Sequence, residues 1–278
     1  MKFSLVHASR GRPDQAGGVV SEWRDAASGE HEIEHLLSVD EDDPDREEYA
    51  SRERDLGVQL VVGPNRTLVE AANRAAALAQ GDVLIVVSDD FGCPARWDAD
   101  LAAIFGERRD LAVMVDDGLG ARIMTLPILG RDLYRRLGYV YHPAYHGQFV
   151  DEDLTETARA LGALVEAKQL LFPHRHFSAG HAKLDATYMR HNQPRSWWSG
   201  WMTFEQRKLS GFGVREPATD AARRSSLIGA YTRARLLGSR VRRLWLKRLP
   251  ASLVDSEQRF RNLALRALER ALGISAPV

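Results

Sequence analysis

The sequence predicts an α/β fold with a doubly wound, mostly parallel sheet flanked by helices. Three observations lead to this prediction. Strand-like and helix-like segments alternate over the first 170 residues or so. Residues 83–87 form an unbroken, mostly β-branched apolar run, which is typical of a strand buried on both faces of a parallel sheet. That run leads directly into Ser88, Asp89 and Asp90, and the carboxyl ends of such strands carry the ligand site.

The individual elements are predicted from apolar periodicity and from stop signals such as glycine. Thr67 and Glu70 have the spacing of a capping box, so the helix before the central apolar run has a clear beginning. Residues 141–149 are rich in aromatic and histidine side chains without a period, which favours a ligand-shaped loop. Strands are expected at 3–7, 33–39, 58–62, 83–87, 111–115, 123–129 and 164–172, and helices at 14–27, 45–56, 65–81, 97–105, 131–137 and from about 151 to Gly162.

The charge of the chain is distributed unevenly. Residues 221–250 contain nine Lys or Arg and no acid, and residues 251–278 contain four Arg and three acids, so 221–278 carries +10 and 1–220 carries −10. This asymmetry predicts that the two parts of the chain have different surroundings. We expect an α/β domain at 1–190, an aromatic connecting segment at 191–220 that lacks a regular pattern, and a basic helical C-terminal extension at 221–278.

Composition excludes several classes of protein. Cys93 is the single cysteine, so an internal disulfide and a cysteine-rich zinc site are excluded. The first apolar stretch is too short for a signal peptide, and no run of 18 apolar residues predicts a membrane span. The expected location is the cytoplasm.

The basic segment 221–250 has apolar residues near helical spacing, with Arg and Lys among them. Such a helix can lie in a membrane interface and be attracted by anionic lipid, which would place the protein on the inner face of the membrane. It could instead dock on the acidic first domain or on a second subunit of a homo-oligomer. Nucleic acid is not an expected partner, because no recognised binding module accompanies the charge.

The pair Asp89 and Asp90 supplies adjacent hard oxygen donors, which suit a divalent cation that holds phosphates. A solvated turn is the alternative interpretation. In their order and spacing, the segments resemble the family 2 glycosyltransferases of the GT-A fold. The resemblance covers roughly residues 1–190 and rests on SRGRP after the first strand, VDEDDPD after the second, the helix NRTLVEAANRAAALAQGD, the strand running into SDD, and an acidic cluster before a helix ending in glycine.

The resemblance implies that 1–190 is a nucleotide-sugar-binding and catalytic domain. It would transfer a sugar from a nucleotide-sugar donor, with a UDP-sugar favoured, to a glycan or lipid-linked acceptor, assisted by Mn²⁺ or Mg²⁺. Ser88 stands where the family has a first acid, which leaves open whether Asp89 or Asp90 holds the metal, while histidines after a later strand can complete the metal sphere. The implied donor-binding residues are Ser9, Arg10, Asp40, Asn65, Arg66, Asn73 and Asp89, and the implied metal ligands are Asp89, Asp90, His174 and His176.

The resemblance also implies a general base near the start of the helix that ends at Gly162. Counting back from that glycine aligns Asp151 with the base, whereas local similarity points to Asp153 as the fallback. A base at Asp151 implies inversion at the anomeric carbon. Two alternatives stay open: a sugar nucleotidyltransferase, and a non-catalytic module that binds a nucleotide sugar on the same fold.

Overall fold

The fold was analysed in a computed structural model that describes residues 1–64, 66–120, 122–175, 187 and 194–214. The chain divides into two compact units, 1–187 and 188–278. The first unit contains the sheet and all the described candidate site residues. The predicted basic extension and its membrane-binding helix lie outside the described residues, as do Asn65 and His176.

A seven-stranded sheet forms the centre of the first unit. Its strands are β1 (Lys2–Ser9), β2 (Glu32–Asp40), β3 (Gln59–Gly63), β4 (Val83–Val87), β5 (Ala112–Asp116), β6 (Ile128–Gly130) and β7 (Leu164–Leu171). They are arranged in the order β3-β2-β1-β4-β6-β5-β7. Every neighbouring pair is parallel except the two pairs that involve β6. The predicted α/β class and mostly parallel sheet are therefore confirmed.

Helices connect the strands. Those of the first unit are α1 (Pro13–Asp25), α2 (Arg46–Leu56), α3 (Leu68–Leu78), α4 (Trp97–Phe105), α5 (Arg131–Leu137) and α6 (Val150–Ala160). The Thr67 side chain accepts a hydrogen bond from the Glu70 amide at 3.1 Å, so the predicted start of α3 is confirmed. Among the described residues, no helix is long and apolar enough to cross a membrane.

The chain reverses its direction of winding at β1. From β1 the sheet grows through β2 and β3 on one side, and β4 then pairs with the opposite edge of β1. The carboxyl ends of β1 and β4 consequently flank a topological switch point, which is where open α/β sheets bind ligands.

The central strands are held by apolar burial. All five residues of β4 are buried, and Ile85 is 0% exposed. Truncation of such a side chain to alanine costs about 2–5 kcal/mol, because it removes apolar contact and leaves a cavity. Gly81 lets the turn before β4 pass against β1, since a Cβ there would lie 2.8 Å from both the Lys2 carbonyl oxygen and the Ser4 nitrogen.

Two predictions of secondary structure are wrong. The strand expected at 123–129 shortens to β6, which runs antiparallel. Pro127 has no N–H to donate to a neighbouring strand. The Met124 N–H instead donates to Thr155 Oγ1 at 2.9 Å, and the Thr125 hydroxyl donates to Asp117 Oδ2 at 2.9 Å. The second unit contains a 16-residue helix, α7 (Pro194–Leu209), where we expected no regular structure; it includes Trp197, Trp198 and Trp201 and is followed by a 3-10 helix at Gly211–Gly213.

Candidate functional site

The Asp89 carboxylate joins the carboxyl ends of β1 and β4. Its Oδ1 accepts a hydrogen bond from His7 Nε2 at 2.9 Å, and its Oδ2 accepts one from the Ser9 hydroxyl at 3.1 Å. The Arg12 Nη1 atom lies 3.6 Å from the same Oδ2. The Asp89 side chain is only 5% exposed, so this carboxylate is compensated chiefly by protein groups rather than by water.

A second histidine, His35, contacts His7 at the ring nitrogen that does not contact Asp89. His7 Nδ1 lies 3.0 Å from His35 Nε2, and both residues are buried. Burial lowers the pKa of His35 well below its usual range, and the charges of His7 and Arg24 lower it further. His35 is therefore neutral near pH 7, and its ring can fix the orientation of the His7 ring that reaches Asp89.

Tyr49 closes the other side of this network. Its hydroxyl lies 2.8 Å from Ser9 Oγ and accepts a hydrogen bond from the Arg12 N–H at 2.9 Å. Burial raises the pKa of Tyr49, so its hydroxyl remains protonated. Since the Ser9 hydroxyl donates to Asp89, Tyr49 is the donor to Ser9. The order Tyr49, Ser9, Asp89 gives every hydroxyl hydrogen a defined acceptor.

Arg10 connects the loop after β1 with the acidic loop after β2. Its Nη1 lies 2.6 Å from Asp40 Oδ2 and 2.5 Å from Asp42 Oδ1. Nearby, Asp43 accepts hydrogen bonds from the Gly11 and Asp45 amides, at 2.9 Å each. Three of the sequence-predicted donor-binding residues, Ser9, Arg10 and Asp40, are thus brought together beside Asp89.

Asp90 has a different set of neighbours from Asp89. Its Oδ1 accepts a hydrogen bond from the Ser88 hydroxyl at 2.6 Å, and its Oδ2 lies 3.3 Å from His174 Nε2. Two donors in adjacent octahedral positions on an ion with bonds near 2.1 Å would lie about 3 Å apart. The carboxylate and the imidazole therefore have a separation that suits one divalent cation.

The chain around His174 is held in place by backbone and ring contacts. The Phe91 ring stacks on the His174 imidazole with a centroid separation of 4.2 Å. The His174 amide donates to the Asp117 carbonyl at 2.9 Å, and the Arg175 amide donates to the Asp90 carbonyl at 2.7 Å. These contacts place the imidazole beside Asp90. None of them is a hydrogen bond to the second ring nitrogen, Nδ1, which is the usual outer-shell contact of a metal-binding histidine.

The described residues contain no group of three or more His, Cys, Asp or Glu side chains that could hold a metal ion. Asp90 and His174 could fill two coordination positions and leave the others to phosphate oxygens and water. A site with few protein ligands is typical of Mg²⁺ held together with substrate phosphates.

Asp151 occupies the first turn of α6 and has an incompletely satisfied carboxyl group. Its Oδ1 is buried and has no hydrogen-bond partner within the described part of the chain. Burial, and then the charge of Glu152, raise the pKa of Asp151 well above its usual range, whereas the nearby Tyr141 hydroxyl opposes that rise. Such a carboxyl group can exchange a proton nearer neutral pH than an exposed aspartate.

Asp153, the fallback candidate for the base, is used in packing. It is 1% exposed; its Oδ2 accepts a hydrogen bond from the Tyr145 hydroxyl at 2.9 Å, and its Oδ1 lies 3.4 Å from the Thr157 hydroxyl. These partners tie the loop before α6 to the helix itself. Its two carboxylate oxygens therefore contact internal donors.

Asn73 and Arg66, both predicted to bind the donor, differ in their surroundings. Asn73 contacts the loop at residues 140–141 through three hydrogen bonds. The Arg66 side chain is 87% exposed and lies 3.7 Å from the Glu70 carboxylate. It therefore lies on the protein surface near the start of α3.

The Asp90–His174 pair and Asp151 are linked through the segment between β5 and β6. Thr155 in α6 accepts a hydrogen bond from Met124, and Thr125 donates to Asp117, whose carbonyl accepts from the His174 amide. This path holds the first turns of α6 and the loop that carries His174 against one segment.

Sequence reasoning did not identify His7, His35, Tyr49 or Tyr141 as site residues. His7 lies in a strand predicted from its apolar neighbours, and the only hint of its role was a titratable residue within that run. Tyr141 belongs to the loop that was expected to be shaped for a ligand, but no local pattern indicated its partner.

Comparisons with known proteins find similar solved structures but no similar sequence family. No known family profile matches the sequence, and no curated protein is matched either. Among solved structures, S. aureus TarS 1-349 in complex with UDP-GlcNAc superimposes with a TM-score of 0.63 at 13% identity, covering 98% of this chain and 82% of that one. Against a longer TarS chain, the protein spans only 54% of its length.

Two further structures are similar. The mannosyltransferase PcManGT from Pyrobaculum calidifontis, in complex with GDP-Man and Mn²⁺, gives a TM-score of 0.50 at 12% identity and covers 98% of this chain and 83% of that one. Glucosyl-3-phosphoglycerate synthase from Mycobacterium tuberculosis, in complex with Mn²⁺, UDP and glucosyl-3-phosphoglycerate, gives 0.51 at 16% identity, with 77% and 81% covered. At these identities the likeness establishes the fold, and this chain has the GT-A-like fold that the resemblance implied.

Proposed function

We propose that this protein is a glycosyltransferase that moves a sugar from a nucleoside-diphosphate sugar to an acceptor hydroxyl. The observation that carries the proposal is the placement, on a GT-A-like fold, of the Asp90–His174 pair and the half-buried Asp151 carboxyl, whose Oδ1 is buried, against one connecting segment. The pair suits a cation that holds a diphosphate, and the carboxyl suits proton transfer. Glycosyl transfer requires that the negative charge of the departing diphosphate is neutralised and that the acceptor hydroxyl loses its proton. The two groups together could meet both requirements.

The donor would lie across the switch point between β1 and β4. The similar structures contain UDP-GlcNAc, GDP-Man or UDP, which supports a nucleoside-diphosphate sugar, with a UDP-sugar favoured. In this interpretation, Arg10 and Asp40 would contact the nucleoside. Asp89 would keep Ser9 and Arg12 in place rather than coordinate the metal, because its two oxygens already accept from β1 side chains.

Asp90 and His174 would hold Mn²⁺ or Mg²⁺ beside the diphosphate. Both the mannosyltransferase and the glucosyl-3-phosphoglycerate synthase structures contain Mn²⁺, which supports a divalent metal. When bound, the ion would neutralise phosphate charge and assist departure of the nucleoside diphosphate.

Asp151 would act as the general base. Its carboxylate would take the proton of the acceptor hydroxyl while the acceptor oxygen forms a bond to the anomeric carbon and the bond from that carbon to the diphosphate oxygen breaks. A base that acts on the side opposite the leaving group would invert the anomeric centre. A raised pKa suits this role, since a base acts most effectively when its pKa is near the working pH.

The acceptor would be a glycan or lipid-linked hydroxyl compound, and the basic segment 221–250 would bring the enzyme to anionic membranes. Its charge, rather than a described contact, supports this part of the proposal. Flotation with anionic vesicles should show binding that a triple Arg240→Glu, Arg242→Glu, Arg243→Glu variant loses. Equal flotation of the variant would contradict attachment through this segment.

A panel of nucleotide sugars with Mn²⁺ tests the catalytic proposal. One donor should raise the melting temperature, because a ligand that binds only the folded state stabilises it. With acceptor, that donor should release nucleoside diphosphate and form a glycosylated product. Binding without turnover for every acceptor would favour a binding module, whereas pyrophosphate release from a sugar phosphate and a nucleoside triphosphate would indicate a sugar nucleotidyltransferase.

A further inference from the structure

The turn after β4 lies antiparallel to the segment that carries His174, and an isolated β-bridge joins the two. The Gly92 amide donates to the Pro173 carbonyl at 2.9 Å, and the Arg175 amide donates to the Asp90 carbonyl at 2.7 Å. One of these hydrogen bonds precedes His174 along the chain and the other follows it. The position of His174 relative to Asp90 therefore depends on how the two segments are held together.

Helix α1 contacts both segments through two successive residues. The Trp23 Nε1 atom donates to the Phe91 carbonyl at 3.0 Å, and Trp23 is 0% exposed. On the other segment, Arg175 Nη1 and Nη2 donate to Glu22 Oε2 and Oε1, at 2.8 and 2.6 Å. The turn after β4 is thus tied to α1 by a buried hydrogen bond, whereas the segment at 173–175 is tied to the same helix by an ion pair.

The turn after β4 leaves space for this ion pair. A Cβ at Gly92 would lie 2.7 Å from both Arg175 Nη2 and Glu22 Oε1, so a larger residue would displace the two side chains. The arginine and glutamate side chains are 48% and 31% exposed. Ion pairs with such exposure contribute little energy, but a bidentate geometry defines the relative position of the two groups. The main contribution of this pair is therefore geometric.

We propose that the Glu22–Arg175 ion pair positions His174 beside Asp90, so that the imidazole and the carboxylate can bind one divalent cation. This inference rests on the proposed glycosyltransferase function, and it makes Glu22 and Arg175 positioning residues of its metal site. Arg175 follows His174 directly, and its amide donates to the Asp90 carbonyl. Displacement of Arg175 would consequently change the 3.3 Å separation between Asp90 Oδ2 and His174 Nε2.

Calorimetric titration of the intact chain with Mn²⁺ in the presence of UDP tests the proposal in Glu22→Gln and Arg175→Gln. Each variant should weaken Mn²⁺ binding about three- to fivefold, because the released segment lets His174 move away from Asp90. Charge alone predicts opposite signs, since removal of the Glu22 charge would weaken cation binding and removal of the Arg175 charge would strengthen it. Unchanged or tighter binding in Arg175→Gln would overturn the inference.

Matched variants separate positioning from other effects. Glu30→Gln removes an exposed ion pair, made with Arg96 at 2.6 Å, and should leave Mn²⁺ affinity unchanged. Gly92→Ala keeps both charges but displaces the pair, and it should weaken Mn²⁺ binding as Glu22→Gln does. Gly18→Ala on α1, where a Cβ meets nothing within 4 Å, is its control. Parental Mn²⁺ affinity in Gly92→Ala, or equal weakening by Glu30→Gln, would contradict a positional role.

A readout without metal distinguishes this inference from the proposed function. The Phe91 ring stacks on the His174 imidazole at a centroid separation of 4.2 Å, so its ring current shifts the imidazole proton NMR signals. These signals, assigned with His174→Gln, should move in Glu22→Gln and Arg175→Gln but not in Glu30→Gln. If they move while the parent protein binds neither Mn²⁺ nor any nucleotide sugar, the proposed function fails and the positioning stands. If the parent binds Mn²⁺ and transfers sugar, but both variants keep parental signals and Mn²⁺ affinity, the positioning inference alone fails.

Discussion

The Nε2 atom of His7 lies 2.9 Å from Oδ1 of Asp89, across the two strands at which the sheet reverses its winding. This contact joins residues 82 positions apart and converts an acidic turn after β4 into a fixed, nearly buried carboxylate. It also separates the two adjacent acids. Asp89 is engaged by β1, whereas Asp90 is paired with His174.

Replacing His7 should therefore weaken both the fold and the donor site. In His7→Phe, Asp89 Oδ1 loses its donor within a nearly buried environment, which costs about 1–3 kcal/mol. Denaturation with urea should show this loss in the free energy of unfolding, and donor Kd should rise. His146→Gln, at an exposed position, is the matched control. A stability equal to that of the parent would show that the contact has little energetic value.

The two carboxylates should differ in their effect on metal binding. Asp90→Asn and His174→Ala should each weaken Mn²⁺ binding in the presence of UDP by at least about tenfold, since each would remove one of the two proposed ligands. Calorimetric titration with Mn²⁺ measures this change, with Asp132→Asn as an exposed control. Unaltered Mn²⁺ affinity in both variants would place the ion elsewhere.

The start of α3 gives a prediction that concerns stability alone. Thr67→Ala removes the side-chain acceptor of the Glu70 amide and should cost about 1 kcal/mol. Thermal unfolding should detect the decrease. Thr67→Ser keeps the hydroxyl and should retain most of the stability; equal losses in the two variants would argue against a capping effect.

Asp153 should behave as a structural residue. Asp153→Asn would weaken its contacts with Tyr145 and Thr157, and we expect a loss of about 1–3 kcal/mol in the free energy of unfolding. The folded fraction should retain the acid limb of kcat. A kcat that falls by orders of magnitude in well-folded Asp153→Asn would instead assign the base to this residue.

Asp151 should oppose folding at neutral pH while it supports catalysis. The pKa of Asp151 is raised in the folded state, so folding favours the neutral carboxyl group. Its contribution to stability is therefore fully present below the unfolded-state pKa of about 4. That contribution is lost as the pH rises through the folded-state pKa, because the carboxyl group must then ionise in the folded protein. Asp151→Asn should therefore be more stable than the parent at pH 8, and the difference should vanish near pH 3. Unfolding free energies measured at both pH values check this sign.

The sequence was most informative where structure depends on neighbours along the chain. The apolar run 83–87 and the Thr67–Glu70 spacing correctly predicted β4 and the start of α3. The prediction of a strand at 123–129 is wrong because Pro127 and the tertiary contacts with Thr155 and Asp117 outweigh local strand propensity.

The pairings within the candidate site depend on contacts between distant residues. Sequence reasoning placed the carboxylates at the end of β4 but did not indicate that His7 would engage Asp89 and leave Asp90 to His174. Likewise, the resemblance implied a donor contact for Asn73 on α3, whereas its hydrogen bonds go to the loop at Val140 and Tyr141. Such assignments require the tertiary fold, because spacing alone does not specify which side chains meet.

The turnover of Asp151→Asn tests the central claim most directly. With the donor identified by thermal stabilisation, kcat should fall by about 10²–10⁴-fold, while donor Kd and Mn²⁺ affinity remain within about twofold of the parent values. Asparagine keeps the size of the side chain but does not accept the acceptor proton as a carboxylate does. A variant that folds, binds donor and Mn²⁺, and transfers sugar at the parental rate would contradict the assignment of Asp151 as the base.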